Sequence, residues 1–362
     1  MGLKEEIFEQ PEVISRLIDE QWPKIRDVAA DIRARMTSNE APSASRTDSA
    51  SCIDYVFLTA RGTSDHAGLY AKYLWAAFNG LPIALAAPSL FSIYGRPPQL
   101  RNSLVVGISQ SGESPDILSV MAEGRRQGVP TLAITNTPSS PLGEVSDWVI
   151  DIAAGPEFAV AATKTYTAQL AVIALLSIAL DDEGERRFAE IQRVPAYMSQ
   201  VLEADEEIRQ LAERYRYMNQ CVVLGRGYNY ATAYEWALKL KELTYSVAAP
   251  YSSADFQHGP VAMVAQGFPV FAVVPRGAVF NHVVELLEEL KRVHQVELLV
   301  LSNHEDALTL ADRSVALPDD LPEWLSPLVA IVPAQLFCYY LTRAKGFDTE
   351  SPRMLSKVTK TE

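Results

Sequence analysis

Three serines crowd into the six residues Ser109-Gln110-Ser111-Gly112-Glu113-Ser114, directly after the apolar run Val105-Val106-Gly107-Ile108 and directly before a helix-compatible stretch opening at Pro115. At a helix start the backbone N–H groups lack intrahelical partners and the macrodipole is positive, so hydroxyls placed there suit a phosphate. The same residue types also serve simply as helix caps. Two further runs could converge with this turn at the carboxyl ends of parallel strands, Gly62-Thr63-Ser64 and Ala161-Ala162-Thr163-Lys164-Thr165. Thr163 could equally cap the helix it opens, and Lys164 could either neutralise a ligand charge or decorate a surface. No glycine-rich loop leads into a Walker lysine and no Gly-x-Gly-x-x-Gly follows a strand, so nucleotide readings are weak. A sugar phosphate fits better.

Groups able to move protons lie in the other half of the chain. Glu235, Lys239 and Glu242 follow i, i+4 and i+3 spacing and share one helical stripe. Such a row is ordinarily a solvated, salt-bridged face. Here Ala237, Leu238, Leu240, Leu243 and Thr244 leave little polar surface around it, and a carboxylate facing a cavity beside a lysine could act as a general base. His258 sits between polar residues and a Gly-Pro turn, which suits either proton transfer or plain solvation. Lys357 lies in a terminal tail, where a lysine taken alone would be a surface residue. Cys52, Cys221 and Cys338 are odd in number and scattered among apolar neighbours, so buried thiols are expected, with no metal site and no cofactor.

These groups need a scaffold, and the hydrophobic pattern predicts one. Residues 3–36 carry apolar positions at helical spacing, predicting one or two amphipathic helices, and the Ser, Thr, Pro and Ala of Thr37 to Ser51 read as a linker. Strands are predicted at Tyr55 to Thr59, Leu81 to Ala86, Leu104 to Ile108 and Thr131 to Thr135, with helices at Asp65 to Phe78 and Pro115 to Gln127. Alternating strands and helices imply a parallel, doubly wound sheet. The pattern then repeats. Arg226-Gly227 follows Arg61-Gly62 by 165 residues, as Phe256 follows Phe91 and Gly277 follows Gly112, while Asn303 follows Asn136 by 167. A period of that length is a domain duplication rather than a solenoid. The copies differ chemically: the serine turn corresponds to Val274-Pro275-Arg276-Gly277-Ala278-Val279, which has no hydroxyl, and Ile93 corresponds to His258. Phosphate binding is therefore expected in the first half.

With 362 residues and a formal net charge of −13, the chain has room for two α/β cores and lacks the basic surface that nucleic acid or an anionic membrane would need. The apolar runs Leu170 to Leu180 and Leu328 to Leu341 are short for a bilayer span, the second interrupted by Pro333. The start Met1-Gly2-Leu3-Lys4-Glu5-Glu6 carries no secretory pattern, so a cytoplasmic location is expected.

From about Tyr55 onward the chain resembles the tandem sugar-isomerase (SIS) module of glucosamine-6-phosphate synthase and of the glutaminase-free glucosamine-6-phosphate deaminases. The resemblance rests on Arg61-Gly62-Thr63-Ser64, Ser109-Gln110-Ser111-Gly112-Glu113-Ser114, Ala161-Ala162-Thr163-Lys164, Leu224-Gly225-Arg226-Gly227, Ala237-Leu238-Lys239-Leu240-Lys241-Glu242, His258-Gly259-Pro260 and the lysine-bearing tail. It implies two doubly wound α/β domains, SIS domain 1 at 51–195 and SIS domain 2 at 196–345, after an N-terminal helical segment and linker at 1–50 and before a catalytic tail at 346–362. It further implies that Ser64, Ser109, Gln110, Ser111 and Ser114 hold a sugar phosphate with Thr163 near the sugar. Glu242 would move a proton between C1 and C2 with Lys239 and Glu235 beside it, His258 would open the ring, and Lys357 would form a Schiff base with the ketose, an iminium being an electron sink. In the family the histidine can come from the partner subunit, which implies a homodimer with a shared active site. Two departures stand out: Ala162 replaces a serine that contacts the sugar in the synthase, and Gly2 stands where the synthase glutaminase has its cysteine. No glutaminase is expected before the first SIS strand, so the expected activity is an amino-sugar-phosphate deaminase and isomerase acting on glucosamine 6-phosphate. A fructosamine-6-phosphate deglycase, another phosphosugar aldose-ketose isomerase, and a non-catalytic sugar-phosphate regulator are the alternatives.

Overall fold

A computed structural model describes residues 2–36 and 52–357. The predicted linker from Thr37 to Ser51 and the last five residues of the tail lie outside them. Cα packing divides the chain into two compact units. One contains 13–156 and 165–191; the other contains residues up to 12, 157–164 and 192–357.

In the first unit, β1 (Tyr55–Thr59), β2 (Ile83–Leu85), β3 (Ser103–Ser109), β4 (Thr131–Thr135) and β5 (Trp148–Asp151) form one parallel sheet in the order β2-β1-β3-β4-β5. Every residue of β3 and β4 is buried, as expected of strands covered by helices on both faces. Val105 and Ala133 pack with Ile117, Val120 and Met121 of the Pro115–Arg126 helix. Helices Thr63–Asn79 and Lys164–Ala179 are tied by Trp75 Nε1 donating to the Ile173 carbonyl at 3.0 Å and by Asn79 Nδ2 donating to the Ser177 carbonyl at 2.9 Å.

The second unit repeats this plan with β6 (Gln220–Gly225), β7 (Val247–Ser252), β8 (Pro269–Val273), β9 (Glu297–Ser302) and β10 (Arg313–Ala316), in the order β10-β9-β8-β6-β7. Within each sheet the first strand lies between the second and third. Even the register is duplicated: Val56 pairs with Leu104 and Val222 with Val270, both 48 residues apart (104 − 56 and 270 − 222). Two residues enter between β8 and β9, where Val270 pairs with Leu298 against Val105 with Thr131, and are recovered before β10. The Tyr230–Thr244 helix packs on β6 and β7 and on the Ser326–Ala344 helix. Trp236, Phe271 and Phe337 form the aromatic centre of that contact, with ring centroids 5.1–6.0 Å apart.

Some expectations hold and others are corrected. Pro333 does not interrupt its segment, for the Ser326–Ala344 helix runs through it. With the preceding turn, Glu323–Ala344 reaches 22 residues, long and apolar enough by length and composition to cross a membrane, but its apolar window is wholly buried inside the unit, as in a core helix. The N-terminal segment is two helices, Leu3–Phe8 and Gln10–Met36; the first packs on the Ser326–Ala344 helix, and Gln10 Nε2 donates to Gln335 Oε1 at 2.9 Å. Cys221 and Cys338 are buried thiols, whereas Cys52 is only half-buried, beside Asp54 at the mouth of β1. Burial pushes the Cys221 thiol up to about 12.

Candidate active site

The serine turn closes on itself. Gly112 N–H donates to Ser109 Oγ at 3.1 Å and Glu113 N–H to Ser111 Oγ at 3.3 Å. Both hydroxyls are used as acceptors, which leaves their protons to be donated elsewhere. Ser114 holds the N-cap position of the Pro115–Arg126 helix, yet its side chain makes no capping bond, so the plain-cap account of this residue does not hold. Gly112 has φ +68°, and a Cβ there would lie 1.9 Å from Ser140 Oγ; only glycine fits this corner. At the exit of the adjacent strand β1, Ser64 accepts a hydrogen bond from Gln169 Nε2 at 3.0 Å in the first turn of its helix. Arg61 Nε reaches the wholly buried carboxylate of Asp116 at 2.5 Å and ties the β1 turn to the start of the Pro115–Arg126 helix. Ser64, Ser109, Gln110, Ser111 and Ser114 thus stand at the carboxyl ends of the neighbouring strands β1 and β3. The supporting roles of Arg61, Asp116 and Gln169 were not legible in sequence, since the pairs span 55 and 105 residues.

The equivalent corner of the second unit is filled by protein. Ala278 N–H donates to Glu323 Oε2 at 2.8 Å, and a Cβ on Gly277 would fall 2.2 Å from the Glu323 carboxyl carbon. A carboxylate occupies the helix start where the first unit leaves hydroxyls. Loss of the serines is therefore matched by gain of an internal anion.

On the Tyr230–Thr244 helix, Lys239 Nζ lies 2.5 Å from Glu242 Oε2 and 3.4 Å from Glu235 Oε1. The Lys239 and Glu235 side chains are 2% and 0% exposed, and that of Glu242 is 22% exposed. This is no solvated face. Burial alone would push the Lys239 ammonium down, but the Glu242 and Glu235 carboxylates outweigh it and hold the group above the ordinary lysine range. His258 is exposed at the end of the short Ser253–Gln257 helix, and among the described residues no side chain partners its imidazole.

The segment 157–164 belongs to this same unit and brings Thr163 with it. Glu157, with a fully buried side chain, accepts from Thr163 N–H at 2.9 Å through one oxygen and from Lys357 Nζ at 2.6 Å through the other. The Ala159 carbonyl accepts from the same ammonium at 2.6 Å. Lys357 is accordingly docked. The Thr163 hydroxyl is buried without a hydrogen-bond partner, so it caps no helix. Lys164 is neither at the surface nor open to a ligand; it is buried against Glu9 at 2.6 Å. The tail reaches this place along a defined path: Glu350 accepts from Leu3 N–H at 3.1 Å, and Arg353 N–H donates to Tyr245 Oη at 2.9 Å with its guanidinium over the Tyr245 ring. Tyr245 directly follows the helix that carries Glu242. Glu157 was missed in sequence; the signal was a carboxylate isolated in the apolar stretch after β5.

The SIS domain model matches residues 51–179 and 215–343. A glutamine–fructose-6-phosphate aminotransferase (isomerizing) of Thermococcus kodakarensis is 35% identical over 361 residues, which take in 97% of this chain and 56% of that protein. Its counterpart in Aquifex aeolicus is 34% identical over 307 residues, 85% of this chain and 52% of that protein. The chain spans about half the length of the curated relatives it matches. Among solved structures, the C-terminal domain of glucosamine-fructose-6-phosphate aminotransferase from Francisella tularensis matches at TM-score 0.84 and 29% identity, over 97% of this chain and 98% of that one. The glucosamine-6-phosphate deaminase of Thermotoga maritima shares the fold at TM-score 0.72 and 20% identity, over 100% of each chain. Two SIS matches lying on two sheets of one topology place the chain in the SIS domain family.

Proposed function

We propose that this chain is an amino-sugar-phosphate deaminase and isomerase, converting glucosamine 6-phosphate and water into fructose 6-phosphate and ammonia. The observation that carries the reading is the Glu235, Lys239, Glu242 row, in which a buried ammonium holds two carboxylates and only Glu242 reaches solvent. A base that must take a proton from carbon needs to be ionised, positioned and accessible. Lys239 positions Glu242, and the partial exposure of Glu242 makes it accessible.

In this scheme the hydroxyls of Ser64, Ser109, Ser111 and Ser114 and the amide of Gln110 bind the phosphate, and Thr163 meets the sugar. His258 opens the pyranose ring, and in a homodimer that group comes from the partner subunit. Glu242 then takes the C2 proton and returns it to C1, turning the open-chain 2-amino aldose into a C2 imine. Water adds at C2 and ammonia leaves, so that the amino sugar and one water balance the ketose and ammonia. The enzyme works on this reading as a cytoplasmic homodimer on a small phosphosugar, without nucleic acid, membrane, metal or cofactor.

Ala162, half-buried next to Thr163, supports one neighbouring reading, a deglycase or isomerase for a different phosphosugar, because the site has one hydroxyl fewer than the synthase pattern. Both readings are tested by ammonia release from glucosamine 6-phosphate and fructosamine 6-phosphate and by aldose-ketose interconversion of unsubstituted hexose phosphates, with Glu242→Gln as control. Ammonia from glucosamine 6-phosphate that falls by at least about a hundredfold in Glu242→Gln supports the deaminase. Neither ammonia nor interconversion from any of them, with phosphosugar binding intact, leaves the regulator.

A further inference from the structure

Lys357 is not free to react as it stands. Its amine is held between Glu157 Oε2 and the Ala159 carbonyl, both at 2.6 Å, and an ammonium in that position has no lone pair to offer a carbonyl carbon. Some group must take the proton. Among the described residues, Glu157 is the carboxylate within hydrogen-bond reach.

We propose that Glu157 is the proton acceptor and positioning residue for Lys357, loading the tail amine for attack on the ketose carbonyl. The assignment adds a covalent step to the proposed function and rests on Lys357 being the Schiff-base amine that the resemblance implies. Three features favour a working pair over a structural tie. The buried partner is the carboxylate, whereas the lysine is 26% exposed and arrives on a terminal tail. The second Glu157 oxygen is fixed by Thr163 N–H, so the same carboxylate orients the residue whose buried hydroxyl lacks a partner. The segment itself is clamped from behind, since Glu6 accepts from Phe158 N–H at 2.5 Å and from Ala159 N–H at 3.2 Å while Lys164 pairs with Glu9. Among the described residues, Glu6 and Lys164 are charged groups facing the pair, with Glu9 against Lys164; Glu6 repels added negative charge at Glu157, and Lys164 offsets Glu6.

The step balances. Glu157 takes one proton from the Lys357 ammonium, the nitrogen lone pair forms a bond to C2, and the carbonyl electron pair moves to oxygen. The C2–O bond then breaks as that oxygen leaves as water, carrying the proton borrowed by Glu157 and a second from nitrogen. Ketone plus ammonium becomes protonated imine plus water, and Glu157 ends as the carboxylate it began.

Full-length wild type, Glu157→Gln and Glu157→Asp are treated with fructose 6-phosphate and cyanoborohydride, and the reduced adduct on the Lys357 peptide is timed by mass spectrometry. In parallel, dilute acetic anhydride labels the same lysine at neutral pH without sugar. In Glu157→Gln this labelling should be at least as fast as in wild type, because the carboxylate that holds the amine is gone. The adduct should nevertheless form at least about tenfold more slowly near neutral pH, because no group takes the proton; Glu157→Asp should recover part of that rate. Slowing of adduct and label by the same factor would mean a lysine displaced rather than deprived of its base, which overturns the assignment. So does an adduct rate in Glu157→Gln equal to wild type or, should that variant not fold, one in Glu157→Asp within about twofold of wild type. No adduct at Lys357 in wild type overturns the Schiff-base reading itself.

Discussion

At the scale of single residues, Lys239 decides how the candidate base can work. Its ammonium lies against two carboxylates in a helix otherwise packed by Trp236, Ala237, Leu240 and Leu243, so neither carboxylate is balanced by water alone. Removing the lysine would take the cation away from the buried Glu235 carboxylate. Lys239→Met, close in length and apolar, should therefore cost about 3–5 kcal/mol of folding stability. Urea denaturation at neutral pH measures the loss. A loss below about 1 kcal/mol would mean that the row carries no buried charge. The spacing of these three residues was legible in sequence, but their burial was not, because a stripe of charges reads alike on a solvated face and in a packed cleft.

At the scale of elements, the short Leu3–Phe8 helix acts as a clamp. Glu6 projects from it onto the 158–159 peptide groups, and Gly2 and Leu3 meet Glu5 and Glu350 at its start. Burial, together with the nearby Glu157 carboxylate, holds the Glu6 carboxyl above its ordinary value despite the N–H donors of Phe158 and Ala159. A carboxyl whose folded pKa is raised binds its proton more tightly on folding. Its contribution to stability is thus greatest in acid and is lost as pH rises through the folded pKa. Glu6→Gln keeps an oxygen for the two N–H groups and never ionises. It should stabilise the protein relative to wild type at about pH 7.5 and lose that advantage at about pH 4, as read from urea midpoints. An advantage independent of pH would show that the clamp works by shape and not by charge.

At the scale of the whole molecule, duplication and divergence explain why one of two equivalent corners should take a ligand. The first unit's corner presents hydroxyls with free protons; the second's is closed by Glu323. Calorimetric titration with fructose 6-phosphate should therefore give one site per chain. Ser111→Ala should weaken that site by about tenfold, and Glu323→Gln should leave both affinity and stoichiometry unchanged. Two sites per chain would mean that the Glu323 carboxylate yields to phosphate and that the corners are still equivalent.

Much of this architecture was determined by sequence. Apolar runs of strand length, helical stripes and turn residues are local patterns, and a duplication repeats them at a constant interval, so the two parallel sheets and even the two-residue slip before Asn303 could be read directly. The order of the chemical motifs was readable for the same reason. What tertiary structure alone decided were the partners: Glu157 with a lysine 200 residues away, Lys164 turned inward to Glu9, Glu323 in the vacated corner, and Pro333 carried inside a buried helix. Each of these depends on which side chains the fold brings within about 3 Å and shields from water, and electrostatic pairing of that kind leaves no periodic trace along the chain.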